Sequence, residues 1–331
     1  MTVRVAVDAM GGDRAPEEIV AGALAAASDD VTPVLYGPRD VLEPLAPSFS
    51  IVHAEQVVAM HEKPSEAVRE KRESSLFMAC RAVREGTADA VVSAGNTGAM
   101  LAAALVEIRR LPDVHRPAIA VPLPALGGPS ILLDAGANAD ARPEHLVQFA
   151  LMGAVFAEEI VGSARPSVAL LSIGEEPEKG NRLVREAHDE LAAAPGLDFV
   201  GNVESRDLLR KAADVVVCDG FTGNMVLKLM EGTIKTTLDA FREEVTATFR
   251  GKLGGLLIRP AARALRDRLD PDTYGGAYLL GLGGLVVIAH GNSSRTALAN
   301  AIGYAARGVR GGVVQRVADR LATRVGATPA G

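Results

Sequence analysis

The sequence predicts an α/β fold with a mostly parallel sheet that helices cover on both faces. Short apolar runs alternate with segments of helical spacing along most of the 331 residues. Gly, Asp and Asn gather just past the end of each apolar run, which is where the strands of a parallel sheet bind ligands. No strong break in composition divides the chain, so we expect a single domain over residues 1–331, with a helical excursion at about 237–272.

The first part of the chain supplies three predicted strands, at residues 3–7, 31–36 and 51–54. A helix is predicted between the first two, over residues 16–27. Pro16 suits a first helical turn, and Glu17 and Glu18 suit the positive end of the helix dipole. A polar stretch at residues 65–84 is predicted to be helical as well.

The rest of the chain continues the alternation of strands and helices. Predicted strands lie at residues 119–122, 131–133, 168–173, 199–200 and 285–289. Predicted helices span residues 144–159, a segment that ends at about residue 194, and a closing segment at 296–307. Residues 201–204 and 275–284 are interpreted as loops, the latter because it is rich in glycine.

Two stretches of the chain match each other without a gap. Residues 88–100 have the sequence ADAVVSAGNTGAM, and residues 213–225 have the sequence ADVVVCDGFTGNM. Each predicts a buried strand, a Gly-rich bend and a helix amino end, whose free backbone N–H groups suit an anion. We call the bends at residues 93–98 and 218–224 the first and second Gly-rich turns. We expect them to line one cleft, with Asn224 opening the second helix.

Composition and the absence of several motifs exclude many kinds of function. The net charge of −6 argues against a nucleic-acid binder. Cys80 and Cys218 are far apart in sequence, and we interpret both as buried apolar residues. The sequence contains no dinucleotide-binding fingerprint, P-loop, nucleophile elbow or HExxH motif. We therefore expect no metal and no cofactor.

The two widely spaced cysteines and the charged residues near the amino terminus predict a cytoplasmic protein. Arg4, Asp8 and Asp13 stand within the first residues, which is unlike a signal peptide. The uncharged run at residues 275–289 is too short to span a bilayer and contains several glycines. We expect the chain to be soluble or at most peripheral to a membrane.

The polar groups in the predicted turns favour phosphate as a ligand. Lys179 is an isolated lysine in a Gly-rich loop, and amide side chains stand at Asn96, Asn138, Asn181 and Asn224. Lysine supplies a point charge for an anion, while Asn and backbone N–H groups supply directed donors. The alternatives are that the glycines only form turns, that Lys179 is simply solvated, and that Asn224 is a helix cap.

Six segments of the chain together resemble one bacterial family. They are VAVDAMGGD (5–13), SAGNTG (93–98), LLDAGAN (132–138), IGEEPEKGN (173–181), GNVESR (201–206) and ADVVVCDGFTGN (213–224). The set strongly resembles the bacterial phosphate acyltransferases, the acyl-carrier-protein:phosphate transacylases of phospholipid synthesis. The resemblance implies a three-layer α/β/α fold related to phosphotransacetylases and isopropylmalate dehydrogenases. It also implies a homodimer that uses acyl-carrier protein and inorganic phosphate, in peripheral contact with the membrane and its integral glycerol-3-phosphate acyltransferase.

The same resemblance implies a role for individual residues. Lys179 would meet the charge of phosphate or of the oxyanion, and Asn224 would orient the reacting group. The substrate cleft would further contain Asp8, Gly11, Gly12, Gly95, Asn96, Thr97, Gly98, Asn138, Gly180, Asn181, Asp219, Gly220, Thr222 and Gly223. Asp8, Asp13 and Asp219 would hold the geometry of their loops, with or without a part in function.

The implied reaction moves a long-chain acyl group from the carrier's thioester to phosphate, and it needs few special groups. Phosphate is itself a nucleophile, and a thiol with a pKa of about 8.5 is a good leaving group. Positioned donors are therefore enough, and a catalytic triad is not expected. The alternatives are a phosphotransacylase for short acyl-CoA, a dehydrogenase of related fold, and a non-catalytic scaffold for synthesis enzymes at the membrane.

The excursion carries a basic and an apolar stripe. Lys252, Arg259, Arg263 and Arg266 fall on one helical face, and leucines such as Leu257, together with Ile258, fall mostly on the other. This pattern is typical of an interfacial helix, so we expect these six residues to dock on the membrane or the acidic carrier. The alternative is an ordinary helix packed on the core. Gly254, Gly255 and Pro260 predict two short helices with a bend.

Overall fold

The computed structural model of the protein describes residues 2–269, 273 and 275–325. Within these residues the strands are β1 (Val3–Asp8), β2 (Val31–Gly37), β3 (Ile51–His53), β4 (Ala90–Ser93), β5 (Ala118–Leu123), β6 (Ser130–Leu133), β7 (Ser167–Ser172), β8 (Asp198–Glu204), β9 (Val215–Val217), β10 (Ala277–Leu280) and β11 (Leu285–Ile288). They form one sheet in the spatial order β3-β2-β1-β4-β11-β10-β5-β6-β9-β7-β8.

Helices cover both faces of this sheet. They are α1 (Glu17–Ala26), α2 (Arg39–Leu42), α3 (Pro64–Glu70), α4 (Ser75–Arg84), α5 (Thr97–Glu107), α6 (Pro143–Phe156), α7 (Arg182–Ala192), α8 (Gly220–Thr246), α9 (Phe249–Leu269), α10 (Arg295–Arg310) and α11 (Val313–Val325). Alternate strand residues enter two separate cores: Val215 and Val217 pack on the side of α6 and α10, and Val216 packs on the side of α4 and α5. The predicted three-layer α/β/α fold is confirmed.

Most strand pairs are parallel, but three consecutive antiparallel pairs in the middle of the sheet leave its two halves running in opposite directions. Strands β3, β2, β1, β4 and β11 run one way. Strand β10 is antiparallel to both β11 and β5, and β6 is antiparallel to β5. Strands β6, β9, β7 and β8 therefore run opposite to β4. We call the edge where β1, β4 and β11 end the first edge, and the edge where β6, β9 and β7 end the second edge.

This reversal corrects the expectation of a single cleft. The first Gly-rich turn follows β4 and lies at the first edge, whereas the second follows β9 and lies at the second edge. The gapless match between the two stretches describes a strand, a turn and a helix locally. It carries no information about the direction in which each unit enters the sheet.

Other differences from the predicted elements are local. The stretch 65–84 forms two helices, α3 and α4, and α4 buries Leu76 and Phe77 against the sheet. The segments 201–204 and 277–280 belong to strands β8 and β10, although their glycines suggested loops. A further helix, α11, follows the predicted closing helix. In each case pairing or packing with distant residues overrides the local preference.

Helices α8 and α9 form a long hairpin over residues 220–269. A Cβ atom at Gly255 would lie 2.8 Å from Val245 Cγ1, so the glycine lets the two helices approach closely. No residue of α9 is buried, so its apolar side chains do not belong to the core of this chain. The expected break is wrong: α9 continues through Pro260, because a proline removes one backbone hydrogen bond without ending an exposed helix.

A helix that crosses a bilayer must be both long and almost wholly apolar. Among the residues that the structure describes, none of the helices is both long and apolar enough to cross a bilayer.

Candidate active site

The second edge is organised around Asp134, which follows β6 and is completely buried. Its Oδ1 accepts hydrogen bonds from the backbone N–H groups of Ile119, Gly136 and Ala137 at 2.9–3.1 Å. Its Oδ2 accepts from the backbone N–H of Asn138 at 2.7 Å. Burial raises the pKa of Asp134, although these donors oppose the rise. The carboxylate thus folds the loop at residues 134–138 around itself.

The second Gly-rich turn lies directly on this loop. The backbone N–H of Gly220 donates to the carbonyl oxygen of Asn138 at 2.7 Å. A Cβ atom at Gly220 would lie 2.7 Å from Asn138 N, and one at Gly223 would overlap the carbonyl oxygen of Asp134. Glycine is therefore needed at both positions because α8 begins in contact with the backbone of the 134–138 loop.

Helix α8 begins earlier than the sequence suggested, and Asp219 is its cap. Asp219 Oδ1 accepts from the backbone N–H of Thr222 at 2.9 Å, and Oδ2 accepts from the Thr222 hydroxyl at 2.7 Å. The interpretation of Asn224 as a cap is wrong, since Asn224 lies inside the helix. The N–H groups of Gly220 and Thr222 are also occupied, so they are not the free anion donors expected at this helix start.

Asn224 differs from the other three predicted amides. Asn96 caps α5 at Ala99 N (3.0 Å), Asn181 caps α7 at Val184 N (2.9 Å), and the Asn138 amide donates to the carbonyl of Pro117 at 2.7 Å. The Asn224 amide makes no hydrogen bond with any residue that the structure describes. Its side chain lies beside Gly136, where an added Cβ would be 3.6 Å from Asn224 Cβ. Of the four, Asn224 is the one whose side chain has neither its oxygen nor its nitrogen bonded to a described residue.

Lys179 lies in the loop after β7, at the same edge as Asn224, because β7 and β9 pair in parallel. Its aliphatic chain contacts Gly174, and the residue as a whole is exposed. Within the described part of the chain it forms no ion pair. Gly180, next to it, has φ +102°, a left-handed conformation that glycine adopts readily. The structure thus provides a free cation and a free amide at one edge.

The remaining predicted site residues form a second cluster at the first edge. Asp8, 3% exposed, accepts hydrogen bonds from the hydroxyls of Ser75 at 2.6 Å and Ser93 at 2.8 Å. Burial raises the pKa of Asp8, and the two hydroxyls oppose the rise. Gly11 packs against the backbone of Gly95, where a Cβ would be 2.9 Å from its nitrogen. The members of this cluster are Asp8, Gly11, Gly12, Gly95, Asn96, Thr97 and Gly98, and they lie across the sheet from Lys179 and Asn224.

A cavity of about 770 Å³ opens at the second edge, between α5 and the 134–138 loop. Leu101 and Leu105 of α5 line one side, and Asn138, Arg116 and His145 are also among the lining residues. Apart from Asn138, sequence reasoning missed all of these residues. The signal was present in the basic segment RRLPDVHR at residues 109–116, which precedes β5.

Comparison with known proteins identifies the family. A sequence model of the family described as "Fatty acid synthesis protein" matches residues 3–316. The chain is 46% identical over 332 residues to the phosphate acyltransferase of Heliobacterium modesticaldum, covering 98% of this chain and 99% of that protein. It is 50% identical over 307 residues to the phosphate acyltransferase of Thermobifida fusca, covering 90% and 85%. The chain belongs to the phosphate acyltransferase family.

Solved structures of other enzymes have a fold similar to that of this chain. A phosphotransacetylase from Streptococcus pyogenes superposes with a TM-score of 0.62 at 17% identity, covering 93% of this chain and 94% of that one. A branched-chain phosphotransacylase from Enterococcus faecalis gives 0.55 at 16% identity, covering 92% and 98%. At these identities the likeness supports the α/β/α architecture alone.

The two cysteines of this chain, Cys80 and Cys218, are not suited to act as nucleophiles. Cys80 and Cys218 are buried, as predicted, and burial raises the pKa of both well above the usual range of a thiol. A thiolate is the reactive form, so neither side chain is a suitable nucleophile. Among the described residues no group of three or more His, Cys, Asp or Glu side chains is arranged to hold a metal ion.

Proposed function

We propose that this protein transfers a long-chain acyl group from acyl-carrier protein to inorganic phosphate. A phosphate oxygen attacks the thioester carbonyl carbon, the carbon–sulfur bond breaks, and acyl phosphate and the carrier thiol are released. The acyl phosphate then serves the acylation of glycerol 3-phosphate in phospholipid synthesis. The observation that carries this proposal is the near full-length identity of 46% to a phosphate acyltransferase.

The geometry of the second edge supports this chemistry. The Lys179 ammonium supplies positive charge for the incoming phosphate or for the oxyanion of the tetrahedral intermediate. The Asn224 amide, held on α8 by the contact of that helix with the Asp134 loop, orients the reacting group. The carrier's thiolate needs no strong acid to leave, and phosphate attacks directly, so no cysteine nucleophile is needed. The reaction therefore needs only donors such as Lys179 and Asn224, whose side chains have no described partner.

The test is direct measurement of acyl phosphate from the purified protein. Long-chain acyl-carrier protein and a short acyl-CoA are supplied in parallel with phosphate, and the acyl phosphate is trapped as a hydroxamate. The proposal expects phosphate-dependent product from the carrier substrate at a kcat/KM well above that for acyl-CoA. Equal or better use of acyl-CoA would instead favour the short-chain phosphotransacylase, and no product from either would favour a non-catalytic scaffold.

We also propose that the protein works as a homodimer at the inner face of the cell membrane. There it lies beside the integral-membrane glycerol-3-phosphate acyltransferase, and the α8–α9 hairpin makes the membrane contact. Leu257 is 84% exposed and Ile258 is 42% exposed, although both are apolar. The basic side chains of Lys252, Arg259, Arg263 and Arg266 follow another face of the same continuous helix. Apolar side chains that enter the lipid and cations that meet anionic headgroups act together in such helices.

A further inference from the structure

The cavity at the second edge carries more positive charge than its surroundings neutralise. Arg110, Arg116 and Arg142 line it with one carboxylate, Asp140, in a protein whose net charge is −6. Arg116 makes no ion pair with a described residue. Arg142 approaches Glu144 at 3.8 Å, but its side chain is 75% exposed, so this pair contributes little. The charged side chains that line the cavity therefore have a net positive charge.

Neutral donors reinforce this charge. Helix α6 begins at Pro143, so its amino end and its dipole lie at the cavity wall. His145 Nδ1 accepts a hydrogen bond from the backbone N–H of Arg142 at 3.2 Å, and burial lowers the pKa of this histidine. The neutral ring therefore carries its proton on Nε2 and is a donor.

The roles of the arginines differ. Arg110 donates to the carbonyl oxygens of Val114 and His115, so it shapes the segment before β5. Arg116 and Arg142 are exposed residues, and a guanidinium group is a planar fork of donors that matches phosphate oxygens. These two are the candidates for direct contact with an anion.

The cavity is also large enough for more than an anion. Its volume of about 770 Å³ is typical of small-molecule sites, and Leu101 and Leu105, one turn apart on α5, form an apolar wall. Asn138 lines the cavity, and its carbonyl oxygen holds the start of α8 that carries Asn224. The cavity therefore adjoins the candidate active site.

We propose that this cavity binds a phosphate group of the substrates, with Arg116 and Arg142 as its ligands. The proposal rests on the acyl transfer proposed above and adds residues to the same site. Two sources supply this chemistry: inorganic phosphate, and the phosphodiester of the carrier's phosphopantetheine arm. In the second case the pantetheine chain would follow the leucine wall.

Substitution of both arginines tests the proposal in steady-state kinetics. Loss of a hydrogen bond to a charged group costs about 1.5–3 kcal/mol, or roughly tenfold or more in affinity per arginine. We expect Arg116→Ala/Arg142→Ala to raise one KM by at least that factor. A rise in the KM for phosphate alone assigns the cavity to inorganic phosphate, and a rise in the KM for acyl-carrier protein alone assigns it to the phosphodiester.

The control is Arg165→Ala, which removes an exposed arginine at the amino end of β7, on the opposite edge, where it pairs with Asp198. If neither KM in the double variant differs from that in the control, the proposal is wrong.

A second readout does not depend on turnover: inorganic phosphate and free phosphopantetheine are tested separately for their effect on the melting temperature. At least one should stabilise the wild type and not the double variant. If the ligands stabilised the wild type and the double variant equally, the cavity would not be the phosphate site, even if acyl transfer is established. If the wild type had no acyl-transfer activity, only the proposed function would be contradicted.

Discussion

At the scale of single residues, hydrogen-bond partners separate side chains that the sequence presents as equivalent. Asn96, Asn181 and Asn224 each follow or enter a Gly-rich turn, and all three suit a phosphate site or a helix cap. The first two are caps, with acceptor distances of 3.0 and 2.9 Å, whereas Asn224 is left without a described partner. A cap is determined by where a helix starts, which depends on the Asp134 contact and not on the asparagine itself.

Lys179→Ala and Asn224→Ala are each expected to lower the rate of acyl-phosphate formation by about a hundred- to a thousandfold, the effect of losing one preorganised donor. Neither side chain bonds to a residue that the structure describes, so the melting temperature should not change. The rate is measured with saturating acyl-carrier protein and phosphate. Lys63→Ala is the matched control, since this exposed lysine pairs only with Glu66 at 3.7 Å in the described chain. Activity within about fivefold of that control would rule out the assigned roles.

At the scale of elements, the contact between α8 and the Asp134 loop holds the site together. The loop has no room for a side chain at residue 223, because a Cβ there would overlap the Asp134 carbonyl oxygen. The sequence match suggested that this glycine approaches a phosphate, but the structure shows that it approaches backbone.

Gly223→Ala is therefore expected to destabilise the protein by about 1–3 kcal/mol, the cost of overpacking a close contact. The matched control is Gly232→Ala in the same helix, where an added Cβ would meet nothing within 4 Å. That variant should gain up to about 1 kcal/mol from the better helix propensity of alanine. Both free energies of unfolding are measured in urea. If the two variants were equally stable, the close contact would not exist in solution.

The hairpin is the second element whose role can be tested. Leu257→Glu/Ile258→Glu should release the protein from anionic vesicles without changing its melting temperature, because neither side chain is buried. Binding is followed by vesicle flotation. The control Leu45→Glu/Leu126→Glu adds the same charge at leucines that are 38% and 64% exposed outside the hairpin, and it should still bind. Unfolding of the hairpin variant would indicate that these side chains are packed in the working assembly.

At the scale of the whole molecule, an ion pair joins α1, near the beginning of the chain, to α10 in its last part. Arg295, at the start of α10, donates from its backbone N–H to Glu18 of α1 at 2.8 Å and from its guanidinium at 2.5 Å. These bonds lower the pKa of Glu18 from its ordinary 4.5 to about 2. The two residues are 277 positions apart, so the pair links two helices that are distant in sequence, α1 and α10.

Since the pKa of Glu18 is lower in the folded state, the pair stabilises the protein fully above pH 4.5, and its contribution is lost as the pH falls toward 2. Glu18→Gln should therefore lower the melting temperature at neutral pH, and the difference from wild type should shrink over that interval. Glu17→Gln is the control, because Glu17 is exposed and forms no ion pair with a described residue. A difference that stays constant with pH would contradict the assigned ionic origin.

The alternation of strands and helices, the positions of most turns, the buried state of the cysteines and the family could all be predicted from the sequence. These depend on periodicity, on turn residues and on motif order, which are local properties. The tertiary structure decided that the two Gly-rich turns lie at opposite edges, that Asn224 alone among the four amides is without a described partner, and that residues of α5, α6 and the 109–116 segment enclose a basic cavity. Each of these depends on strand direction or on contacts between distant residues, and a repeated local pattern is the same whichever way its strand enters the sheet.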